Sequence, residues 1–202
     1  MCRLLRMGVT MTNAEMVLEG QLRECYVRVV YSHKTHEKCA DILLELHKKI
    51  KLAQIILSAL VTGGLLTTLF EFSSLAEFKK FGTLIVVLLS TILLVLNSYT
   101  KDYDLGEIAQ KHRQAGADLW VIREKYLSLL TDLRMGGASL DDLRSLRDHL
   151  ADDLHVVYSG APSTNYKAYT QAQKALKELE DMTFSDDEID AFLPRELKRK
   201  QP

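Results

Sequence analysis

The stretch LAQIILSALVTGGLLTTLF, Leu52 to Phe70, contains no charged residue, in a chain of 202 residues of which 26% are Asp, Glu, Lys or Arg. A core helix and a membrane span make different demands on the rest of the sequence. Whole-chain averages are neutral on the choice, since a mean hydropathy of -0.04 and a formal net charge of -1 would suit a soluble protein long enough to bury a core. Those averages conceal a segregation. A second charge-free run, FGTLIVVLLSTILLVLNSYT from Phe81 to Thr100, follows after the short connection EFSSLAEFKK. About 20 residues at about 1.5 Å rise each make about 30 Å, the hydrocarbon thickness of a bilayer. A soluble core helix of that length keeps one polar face, and Ile85 to Leu96 has none. Both runs are therefore expected to cross a membrane, the alternative being a buried soluble hairpin.

The connection from Glu71 to Lys80 is too short to form a domain, so the spans should make a tight helical hairpin with both chain ends on one side. Phe70, Phe72, Phe78 and Phe81 crowd that turn, as aromatic rings do at a membrane interface. Lys48, Lys49 and Lys51 precede the first span and Lys101, Lys111 and Arg113 follow the second, against Lys79 and Lys80 in the connection. This positive-inside bias puts the termini in the cytoplasm. The start MCRLLRMGV has basic residues without an apolar region of signal-peptide length, and no lipidation pattern is present. Cys2, Cys25 and Cys39 have no paired spacing and fit reduced thiols.

Outside the spans the apolar pattern becomes heptad-like. Steps of three and four from Leu22 give Cys25, Val29, Ser32, His36, Cys39, Leu43, Leu46 and Ile50, leading into the first span. After the second span the same stepping gives Leu105, Ile108, His112, Ala115, Leu119, Ile122, Tyr126, Leu129 and Leu133. The fold expected is an all-α membrane protein. Its two-helix transmembrane hairpin extends as continuous helices into a cytoplasmic antiparallel coiled coil, followed by a C-terminal cluster of short helices. The boundaries read as an N-terminal cytoplasmic helix over 1–51, the hairpin over 52–100 (spans about 52–70 and 81–100), a coiled-coil helix over 101–135 and a helical extension over 136–202.

Gly136-Gly137 should end the coiled-coil helix, because helix propensity collapses there. Ser139 with Asp142, and Ser185 with Glu188, read as capping-box starts of SLDDLRSLRDHLADDLHVVY and SDDEIDAFL. Between them, SGAPST breaks the chain at Gly160 and Pro162, after which helical spacing resumes with Tyr169, Ala172, Leu176 and Leu179 expected inward. The basic tail RELKRKQP is expected to fray.

Chemistry is sparse. There is no phosphate-binding Gly-rich loop, no nucleophile elbow and no HExxH, so neither a catalytic residue nor a cofactor is expected. His33 and His36 lie three apart in HKTHEK near Asp41, a spacing a metal could use; without a further ligand a solvated helical face is the reading, and no metal is assigned. His36 and His112 occupy seam positions, either as satisfied core histidines or as a buried polar layer that fixes register. Trp120, beside the seam, reads as a packing or subunit-contact anchor. In the first span Ala59, Gly63 and Thr67 recur every four residues, as do Gly64 and Thr68, with Ser58 and Thr62 one step round. Small residues at that spacing let helices approach closely where lipid supplies no hydrophobic drive. They pack against the second span, or else Ser58, Thr62 and Thr67 line an aqueous path in an oligomer, since two spans cannot enclose a pore alone.

From about Tyr26 to Leu133 the chain resembles the SLATT family in its order of parts. A charged helix with Tyr31, His33 and His36 precedes two spans, and EIAQKHRQAGADLWVIREKYLSLL follows them. APSTNYKAYTQAQKAL and FSDDEIDAFLP are similar to the C-terminal extension of one branch of that family. SLATT proteins are two-transmembrane effectors found with bacterial nucleotide-second-messenger synthetases and SLOG sensors. The resemblance implies a CBASS-like anti-phage effector that, once its sensor detects infection, oligomerises or opens in the inner membrane and kills or arrests the cell. Family residues carry over only at His112 and Arg113, and no catalytic residue is implied. The partners expected are the lipid bilayer, further copies of the chain and a cytosolic sensor or second-messenger synthetase, with no nucleic acid. The alternative is a membrane-anchored coiled-coil scaffold that holds a cytosolic partner.

Overall fold

The computed structural model describes residues 11–69 and 76–199. Among these every regular element is helical: α1 (Asn13–Leu69), α2 (Ala76–Asp102), α3 (Leu105–Met135), α4 (Leu140–Gly160), α5 (Tyr166–Lys177) and α6 (Asp186–Phe192), then a short 3-10 turn at Arg195–Leu197. The chain folds as two compact units. One contains the chain up to Lys38 and from Ala115 onward, and the other is Cys39–Gln114.

The second unit holds the apolar helices. Its exposure pattern decides the opening alternative, since the most apolar windows, of mean hydropathy 1.7 and 2.2, are 0% and 6% buried. A soluble hairpin would have to cover that surface, because an uncovered apolar area of this extent is incompatible with water. The helices are of membrane-spanning type. They meet along a narrow seam. Leu57, Val61 and Gly64 of α1 are half-buried, as are Gly82, Val86, Leu89, Leu93 and Leu96 of α2, a spacing of three and four that keeps one stripe of each helix facing its neighbour. The expected aromatic cluster at Phe70, Phe72 and Phe78 falls outside the described residues and side chains, while Phe81 is exposed.

The expected continuity from the second span into the next helix is corrected by the structure. The helix stops at Asp102 and restarts at Leu105. Asp104 causes the restart: its Oδ1 accepts from the backbone N–H of Gly106 at 2.9 Å and of Glu107 at 3.0 Å, an N-cap that satisfies donors a continuous helix would have used internally. The amide of Glu107, seconded by that of Gly106, holds the Asp104 carboxyl below the usual carboxylate range. Leu46 also departs from the seam expected for it and is 43% exposed.

The first unit buries a true core. Leu18, Leu22 and Val29 of α1 meet Leu119, Ile122, Tyr126, Leu129 and Leu133 of α3, and Leu143 and Leu150 of α4 close the third side. The α3 residues are those that heptad stepping picks out. Tyr126 is 1% exposed, and burial, with Cys25 beside it, pushes its phenol up to about 12. Gly136 takes φ 67 directly after α3, the left-handed conformation that ends a helix at glycine without Cβ strain. Ser139 caps α4 by accepting from the Asp142 N–H, and Ser185 with Glu188 forms a complete capping box on α6.

The inward face of α5 keeps the expected Ala172 and departs from expectation at Tyr169. Ala168, Ala172 and Ala175 are buried, whereas Tyr169 is 44% and Leu179 67% exposed. Three alanines on one stripe allow close approach of the helix backbone, which a stripe with Tyr and Leu would hold off. The chain leaving α5 turns through left-handed Glu180 and Met182, with the Asp181 carboxylate 3.0 Å from Lys34 Nζ of α1. The described part of the tail, to Arg199, is tied down where fraying was expected: the Arg199 backbone N–H donates to Asp190 at 3.2 Å and its guanidinium pairs with Asp186.

Candidate functional site

Within the second unit, the two glycines at the centre of α1 have opposite surroundings. A Cβ on Gly64 would lie 2.5 Å from Val86 Cγ2 of α2, while a Cβ on Gly63 would meet nothing within 4 Å. Gly64 is the contact point of the helix pair. Valine cannot swing away, since its branched Cβ leaves one favoured rotamer in a helix. The stripe singled out in the sequence therefore splits by function: Gly64 packs the hairpin, and Ser58, Ala59, Thr62, Gly63 and Thr67 are all exposed on the remainder of α1.

The hydroxyls on that open face are bonded to their own helix. Ser58 Oγ donates to the Gln54 carbonyl at 2.7 Å, Thr62 Oγ1 to the Ser58 carbonyl at 2.8 Å and Thr67 Oγ1 to the Gly64 carbonyl at 2.8 Å. Each proton is thereby satisfied and each oxygen keeps acceptor capacity, so the face tolerates lipid and can still accept a bond from water or a neighbouring helix. At one end of the pair, Gln54 Nε2 donates to Asn97 Oδ1 at 3.0 Å and to Thr100 Oγ1 at 3.1 Å. This polar clamp was missed in the sequence. Its signal was there, as Gln54 and Asn97 are the only amides in the two charge-free runs.

The seam histidines are buried, His36 at 3% and His112 at 3% exposure. Burial disfavours the imidazolium and holds the His112 pKa below its usual value. For HKTHEK the expectation of a solvated face is corrected: His33 is 6% and Thr35 4% exposed. His33 Nδ1 lies 2.8 Å from the Gly116 carbonyl oxygen on α3. A carbonyl only accepts, so Nδ1 bears the proton, and Nε2 points toward Glu37 at 3.7 Å. The imidazole lies 5.3 Å from the Trp120 ring, which holds the Arg123 guanidinium 4.5 Å from its centroid. Trp120 is thus a packing anchor, 41% exposed on its outer edge. Only the small pair Ala115-Gly116, opposite His33 in the seam, hinted at this arrangement.

Lys34 is held by two carboxylates, Glu37 at 2.9 Å and Asp181 at 3.0 Å. Burial works against its charge, but the hydrogen bonds it donates to Glu37 and Asp181 outweigh it and raise the ammonium pKa. Among the described residues no group of three or more His, Cys, Asp or Glu is placed to hold a metal.

A sequence model of the SMODS and SLOG-associating 2TM effector domain, family 4, matches residues 18–188. No curated protein and no solved structure matches the chain.

Proposed function

Because the chain belongs to the SMODS and SLOG-associating 2TM effector domain family, we propose that it is a membrane effector of bacterial anti-phage defence that assembles through the open face of α1 and permeabilises the inner membrane. The observation that carries this reading is the division of labour between the adjacent glycines. Of the two glycines only Gly64 packs against α2, and Ala59, Gly63 and Thr67 remain as a second close-approach surface on the same helix. A plain anchor has no use for two such faces.

In this reading copies of the hairpin associate around Gly63, and Ser58, Thr62 and Thr67 supply the acceptor oxygens of a polar path between subunits. Both termini are cytoplasmic, where a sensor of the SLOG type or a SMODS nucleotide second-messenger synthetase would act on the core of α1, α3 and α4. The test is induced expression in cells loaded with a membrane-potential dye. An effector collapses the potential, and a scaffold that uses its spans only as an anchor leaves it unchanged at the same inserted amount.

A further inference from the structure

In the second unit the cations are matched by acids farther from the spans and outnumber them where the spans begin. Arg113 lies 3.3 Å from Asp41, Lys111 2.7 Å from Glu107 and Lys49 3.8 Å from Glu45. Lys48, Lys51 and Lys101 are exposed, and among the described residues none of them makes an ion pair. Lys51 borders Leu52 and Lys101 borders Thr100, the residues at which the two charge-free runs begin and end. Two carboxylates share this end with the lysines, Asp102 and Asp104. Asp104, near His47 and Lys51, is held first by the backbone amides of Glu107 and Gly106. An excess of positive charge therefore stands where the uncovered apolar surface starts.

The polar clamp brings two of these lysines to one level of the hairpin. Gln54 follows Lys51 by three residues on α1 and donates to Thr100, the residue before Lys101, so the two lysines lie within one helical turn of each other along the axis. Asn97, exposed beside them, spends its Oδ1 on Gln54 and keeps both amide protons to donate. Tyr99 and Tyr103 stack at the same end with ring centroids 5.4 Å apart, 44% and 58% exposed, where amphipathic rings sit at headgroup depth. Ammonium groups and neutral donors beside an open apolar face match a molecule that joins an oxyanion to hydrocarbon chains. Free phosphate would engage the lysines and leave the apolar face unused. A choline headgroup carries its own ammonium and would gain little from them.

We propose that this end of the α1–α2 pair holds an anionic phospholipid, with Lys51 and Lys101 on its phosphate, Asn97 and the tyrosines at the level of its glycerol esters, and its acyl chains along the exposed apolar surface. The experiment is native mass spectrometry of the full chain released from detergent micelles that contain equal amounts of phosphatidylglycerol and phosphatidylcholine with the same acyl chains. It counts lipids retained on purified protein, so its outcome is independent of whether the chain depolarises a membrane. Phosphatidylglycerol should be retained about tenfold or more over phosphatidylcholine, and excess inorganic phosphate should not displace it. Lys51→Gln combined with Lys101→Gln should bring the two lipids to within about threefold of each other. Lys111→Gln, which removes a lysine already paired with Glu107, should leave the preference as in the wild type. All three side chains are exposed, so the variants keep the helix pair, as unchanged melting in phospholipid-free micelles would verify. Equal retention of the two lipids by the wild type, displacement by inorganic phosphate, a preference that survives the double substitution, or an equal loss in Lys111→Gln would each overturn the assignment.

Discussion

Two neighbouring glycines with opposite roles give the sharpest test at the scale of single residues. Gly64→Leu drives a side chain into Val86, and overpacking of this kind costs about 1–3 kcal/mol, whereas Gly63→Leu meets open space within one hairpin. Thermal unfolding in detergent, under conditions that keep the chain monomeric, should show a lowered midpoint for Gly64→Leu and an unchanged one for Gly63→Leu. His112 gives a second test. Its folded pKa lies below the ordinary 6.5, so below about pH 6.5 the unfolded chain binds more protons than the folded one. Stability then rises with pH through that window, is lost as pH falls through it, and is flat above it. Replacing His112 with Phe should flatten the acid limb of a melting-temperature profile taken between about pH 5 and 8.

Among the elements, α3 was the most legible in the sequence, because it is covered along one stripe and its heptad steps coincide with its buried face. Leu119 has 0% exposure, so Leu119→Asp buries an unpaired charge and should unfold the first unit, a loss of several kcal/mol seen as vanished cooperative melting. Lys125, in an exposed pair with Asp153 at 2.8 Å, should tolerate Ala with a change under about 1 kcal/mol. Other elements were less legible for identifiable reasons. On α5 the expected Ala172 is buried, but close approach selects Ala168 and Ala175 beside it rather than the larger Tyr169 and Leu179. The break before α3 turned on a single carboxylate, Asp104, accepting two backbone amides, and heptad stepping is blind to that. The buried state of His33 depended on a carbonyl 83 residues away at Gly116, which no local pattern encodes. In the spans, spacing picked out a stripe of small residues but could not say which of two adjacent glycines faces the partner helix, since they sit only about 100° apart on the helix.

The molecule as a whole joins an uncovered apolar helix pair to a packed, ion-paired helical unit, and the account requires the second of these to lie in the cytoplasm. With the native cysteines replaced by serine, Ser139→Cys should resist a membrane-impermeant maleimide applied to intact cells and react once the cells are lysed. Reaction in intact cells would reverse the orientation. The central claim is that the open face of α1 is the assembly surface, and chemical cross-linking in isolated membranes tests it most directly, comparing the wild type with Gly63→Leu at equal inserted amounts. Insertion should be equal, because leucine raises apolarity. The account predicts a ladder of oligomers for the wild type and monomer alone for Gly63→Leu, the larger side chain blocking close approach between copies. A wild type that stays monomeric, or a Gly63→Leu chain that gives the same ladder, would contradict it.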